Sequence, residues 1–138
     1  MAKKIKADSL LELSFISDPQ IRPDGKASVA VRTDIEAATD ASDEDDKPAE
    51  YKSRIYLFDH SGGEPRAFTQ PSSTHPRWSP DGSQLAFLSS RDEKTDKPQL
   101  FVMPVFGGEA ERRTEFKDGV KDFAWNPEGE RIAFISRG

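Results

Sequence analysis

A chain of 138 residues with a net charge of −5 and no cysteine excludes disulfides, thiolate metal sites and cysteine nucleophiles. It also offers no basic footprint for nucleic acid or for an anionic membrane. The length is about that of one domain, yet Leu, Ile, Val and Phe make up only about a fifth of it, close to the composition at which disorder sets in.

Residues 1–16 (MAKKIKADSLLELSFI) start basic, but Asp8 and Glu12 interrupt any apolar run. Neither a signal peptide nor a transmembrane span is read there, and the expected location is cytoplasmic. Residues 1–15 are expected as a lead-in. A first unit, 16–72, opens with QIRPDGKASVA (20–30), in which Pro23 and Gly25 build a turn. It is interrupted at 34–50 by DIEAATDASDEDDKPAE, with eight acids, one lysine and no aromatic. Such a segment cannot bury apolar surface and is expected as a mobile loop between two strands. RIYLFDHSGGEPRAFT (54–69) follows.

The second unit, 73–118, shows the pattern without interruption. HPRW (75–78) is short and extended; SPDG (79–82) then turns the chain, with Pro80 supplying a fixed φ and Gly82 a positive one. QLAFLSS (84–90) and QLFVMPV (99–105) are rich in strand-forming residues. Pro104 is expected at a strand end or on an unpaired edge. Gly107-Gly108 gives a second tight turn, and AERRT (110–114) is expected as a polar outer strand. Residues 119–138 repeat only the first half of the unit, as AWNPEGERIAF (124–134).

Two phrases therefore recur in the same order. The turn prolines Pro23, Pro80 and Pro127 are 57 and 47 residues apart, and 54–69 matches 99–114 at a constant offset of 45. A four-stranded unit of ~45 residues has the length of one β-propeller blade. The expected fold is all-β: a partial β-propeller of about two and a half four-stranded blades with a short N-terminal lead-in. Because a propeller ring closes with ~4–8 blades, the chain is expected to be a fragment.

These phrases resemble the propeller of the prolyl oligopeptidase family of serine peptidases, and most closely its acylaminoacyl-peptidase-like branch. The resemblance is carried by ADSLLELSFISDPQIRPDG at the N-terminus and by SSTHPRWSPDGSQLAFLSSRDEKTDKPQLFVMPVFGGEAERRT (72–114). It implies a two-domain enzyme in which a propeller of about seven blades caps an α/β-hydrolase domain with a Ser-Asp-His triad, admitting short peptides and excluding folded proteins. The implied partners are the remaining blades, the hydrolase domain and a short peptide substrate; neither nucleic acid nor membrane is implied, and homo-oligomerisation is left open.

No G-x-S-x-G elbow occurs in the chain, so no catalytic residue is assigned to it. His60, in the DHSGGE turn, is expected as a solvated turn residue, and His75 as a blade-edge residue; neither has the surroundings of a general base. DASDEDDKPAEY (40–51) has Lys at its eighth position and no glycine, so it fails as an EF-hand. No cofactor or metal is expected. Trp78 and Trp125 stand at the same repeat position and are expected to pack blades together. The positions expected to line a channel are His75, Arg77 and Asp122, each on the first strand of a unit. The alternative reading is a non-enzymatic propeller scaffold that binds peptides or proteins.

Overall fold

The computed structural model describes residues 10–38, 50–90 and 97–136. These form ten strands and no helix among the described residues: β1 (Leu10–Ile21), β2 (Ala27–Ala38), β3 (Glu50–Asp59), β4 (Arg66–Ala67), β5 (Ser73–Trp78), β6 (Gln84–Ser89), β7 (Gln99–Pro104), β8 (Glu111–Arg112), β9 (Val120–Trp125) and β10 (Ile132–Ser136). The strands make two four-stranded antiparallel meanders, β1-β2-β3-β4 and β5-β6-β7-β8, and a two-stranded sheet of β9 and β10.

The repeated phrases fold identically. In each hairpin the residue before the turn proline closes the turn: Arg22, Ser79 and Asn126 donate their N–H to the carbonyls of Ala27, Gln84 and Arg131 at 2.8, 2.8 and 2.9 Å. Gly82 N–H donates back to the Ser79 carbonyl at 2.8 Å, with φ 75°. That is a type I turn followed by a left-handed residue, which only glycine adopts freely. The other repeat is as close. Tyr56↔Ala67 and Leu57↔Arg66 in the first sheet reappear as Phe101↔Arg112 and Val102↔Glu111 in the second.

Two expected boundaries shift. β1 starts at Leu10 and so takes in part of the stretch expected as a lead-in. β2 and β3 pair at Asp34↔Lys52 and Ile35↔Tyr51, so ladder hydrogen bonding runs into the segment expected as a loop from 34. The pairing holds because Asp34 has partners within the sheet: Ser14 Oγ donates to its Oδ1 at 2.6 Å and Arg32 Nε at 3.0 Å. Those bonds, the Ser14 hydroxyl first, keep the Asp34 carboxyl below its ordinary pKa. Residues 39–49 of that segment lie outside the described residues. Pro104 is the last residue of β7 and is exposed, so its missing N–H interrupts nothing.

Packing explains why β6 reads as an uninterrupted apolar run. Leu85 and Phe87 join Val29, Val31, Ile55, Leu57, Trp78 and Phe101 in a core between the two four-stranded sheets. Ala86 and Leu88, on the other face, join Leu100, Val102, Val120 and Phe123 in a second core against the β9-β10 sheet. A strand covered on both faces needs apolar residues at successive positions. Phe87 and Phe101, directly opposite in the ladder, stack with centroids 5.7 Å apart.

Candidate functional site

Of the first strands, β5 neighbours both β1 and β9, and all the positions expected to line a channel lie on β5 and β9. Counted from the turn prolines, Asp18, His75 and Asp122 occupy equivalent places, five residues upstream; Gln20, Arg77 and Ala124 are equivalent at three residues upstream. Both β1 and β5 carry a bulge here, between Ser17 and Gln20 and between Thr74 and Arg77. Inside the bulges Asp18 and His75 are held at φ 51° and 58°, each followed by a proline. A left-handed non-glycine residue is uncommon, and its recurrence at equivalent positions marks a device of the repeat. A bulge lifts its residue out of the ladder and re-aims the side chain.

The structure does not bring the three expected residues together. Among the described residues no hydrogen bond or ion pair joins His75, Arg77 and Asp122. His75 Nδ1 lies 3.0 Å from Thr74 Oγ1 and borders a cavity of about 320 Å³ with Leu88, Pro98, Val120 and Lys121. Asp122 is exposed, its Oδ1 accepting the neighbouring Phe123 N–H at 2.8 Å. Arg77 instead meets Asp18, a residue the sequence did not single out. Arg77 Nη1 donates to Asp18 Oδ2 at 2.9 Å and to the Pro76 carbonyl at 2.7 Å, while Gln20 Nε2 donates to Asp18 Oδ1 at 3.0 Å. The repeat count alone could have flagged Asp18, because it is the counterpart of His75.

The tryptophans pack between sheets as expected, and each also makes a directed bond. Trp78 Nε1 donates to the Gln20 carbonyl and Trp125 Nε1 to the Arg77 carbonyl, both at 3.0 Å. Each indole thus reaches the equivalent residue on the first strand of the preceding sheet. Arg22 adds a second tie between the first two sheets: its guanidinium carbon lies 5.7 Å from the ring centroids of both Trp78 and Phe106, a doubled cation–π contact.

His60 is exposed, as expected, but is not left to solvent. Its Nδ1 is 2.6 Å from the Gly25 carbonyl and its Nε2 2.7 Å from Ser28 Oγ. A carbonyl only accepts, so Nδ1 carries the proton and the ring pins the β1-β2 turn to the end of β3. Among the described residues no group of three or more His, Cys, Asp and Glu could hold a metal ion, and no helix is long and apolar enough to cross a membrane.

No family model matches the chain. It is 36% identical over 134 residues to the Bacillus subtilis protein named uncharacterized peptidase YuxL, covering 96% of this chain and 19% of that protein. Among solved structures, acylaminoacyl peptidase from Pyrococcus horikoshii aligns with a TM-score of 0.68 at 20% identity, over 90% of this chain and 17% of that one. The β-propeller domain of the Trilobed protease from Pyrococcus furiosus aligns with a TM-score of 0.65 at 22% identity, over 89% of this chain and 34% of that domain. The chain thus spans about a fifth of the curated peptidase and about a third of the propeller domain. The fold is that of a β-propeller segment. Together with the peptidase relative, this matches the propeller of the prolyl oligopeptidase family, the family the sequence resembles.

Proposed function

We propose that this chain is the propeller portion of a cytoplasmic serine peptidase, made of about two and a half blades, which filters substrates for an α/β-hydrolase domain carried elsewhere in the parent protein. The observation that supports this most is the 36% identity over nearly the whole chain to a protein named as a peptidase, of which the chain spans 19%. The substrates are short peptides, free or acylated, and the segment's work is access and docking. His75, Arg77 and Asp122 line the path by which peptides reach the hydrolase. Nothing in the segment is a nucleophile for that reaction.

The test is Arg77→Ala in the full-length protein, assayed on a short and a longer peptide sharing one cleavage site. The expected outcome is a changed ratio of kcat/KM between the two lengths. Unchanged kinetics on both would remove the filter role; a full-length protein without any peptide hydrolysis would favour the binding scaffold.

A further inference from the structure

Arg77 has more hydrogen-bonding capacity than its surroundings use. A guanidinium carries five N–H donors in a rigid fork. Both Nη1 protons are taken, by Asp18 Oδ2 at 2.9 Å and the Pro76 carbonyl at 2.7 Å. The Nε proton and the two on Nη2 have no partner among the described residues. Those on Nε and the near side of Nη2 point the same way, so they form a paired donor edge. The side chain is 32% exposed and that of Asp18 29%, so the pair stands at the surface without being fully in water.

Asp18 holds this edge in place. Its φ of 51° within the β1 bulge takes it out of the ladder, and Gln20 fixes its second oxygen at 3.0 Å. The Gln20 carbonyl is itself bound by the Trp78 indole at 3.0 Å. Guanidinium and carboxylate are therefore both immobilised across two sheets, and their charges cancel locally. A cancelled charge has no strong reason to select an anion, whereas a fixed pair of N–H donors suits neutral carbonyl oxygens.

We propose that the free edge of Arg77 binds backbone carbonyl oxygens of an extended peptide, and that Asp18 is its positioning residue, aiming the edge and masking its charge. This rests on the peptide-filter reading above and adds to it the atoms recognised and the absence of a charge preference.

The test uses the full-length protein and three blocked peptides that differ only in one side chain, Glu, Gln or Lys, with dissociation constants measured by calorimetry. The wild type should bind all three within about twofold, since the pair is locally neutral. Arg77→Gln should weaken all three alike, by about tenfold. Asp18→Asn keeps an oxygen to accept from Nη1 but unmasks the guanidinium, so the Glu peptide should bind about fivefold tighter than the Gln peptide, with the preference fading at high salt. Asp18→Glu restores the charge and should abolish that preference, which a merely structural role would not do. The inference is overturned if Arg77→Gln leaves affinity unchanged, or if Asp18→Asn shows no charge preference while still folding by its melting curve. Those outcomes leave the filter reading standing. If the wild type binds none of the peptides, both fall together.

Discussion

At the scale of single residues, the turn carboxylate Asp81 shows how much a three-residue phrase contains. Its Oδ1 accepts from Ser83 N–H at 3.0 Å, Ser83 Oγ at 2.7 Å and Ser79 Oγ at 2.8 Å. These bonds, the Ser83 backbone N–H first, lower its carboxyl from the ordinary 3.8 to about 2. Because the folded form ionises more readily than the unfolded one, the stabilisation is whole above 3.8 and is lost as pH falls towards about 2. Asp81→Asn can still accept from Ser83 but no longer titrates, so its melting temperature should fall less steeply than that of the wild type across that window. Parallel profiles would show that the turn does not report acid. A Pro-Asp-Gly phrase announces such a turn from sequence. That Trp78 would bond the Gln20 carbonyl could not be read, because periodicity shows where an indole recurs but not which acceptor it meets.

At the scale of elements, the outer strands are shorter than AERRT suggests. β8 is Glu111–Arg112 alone, because two residues further on a side chain takes over from the ladder. Leu100 N–H donates to Thr114 Oγ1 at 3.0 Å, and Ile55 N–H to Thr69 Oγ1 at the same distance. The repeat offset was therefore legible, while the reason for keeping a threonine was not. The two sites differ in one respect. Thr114 also donates to Oε1 of Gln99 at 2.7 Å, and Gln99 is 1% exposed. Thr114→Val should cost about 1–3 kcal/mol of unfolding free energy, since it strands a backbone N–H and weakens a buried amide. Thr69→Val should cost less, and Thr114→Ser little. Denaturant melts of the three variants would decide this, and equal stabilities would show that the side-chain cap is dispensable.

At the scale of the whole molecule, the sheets are joined through their turns as well as their cores. A β-carbon added at Gly82 would lie 3.1 Å from Arg22 Cγ and 3.6 Å from Pro23 Cδ, whereas one at Gly25 would meet nothing within 4 Å. The two glycines share nearly the same φ, 75° and 73°, so alanine at either position pays a backbone penalty of about 1–2 kcal/mol. Only Gly82→Ala also presses on the neighbouring sheet, and it should lose about 1 kcal/mol more. Thermal melts showing equal losses would mean that the turns do not bear on one another.

The sequence by itself determined the strand order, the turns and the family likeness, because each follows from local chemistry: prolines and glycines where φ demands them, and apolar runs where both faces of a strand are covered. It also placed Arg77 and the tryptophans on first strands. Only the tertiary structure decided what those side chains touch. Asp18 and Arg77 are 59 residues apart, and what joins them is a pair of bulges on neighbouring sheets. Their meeting depends on how one sheet is laid against the next, and no local signal encodes that.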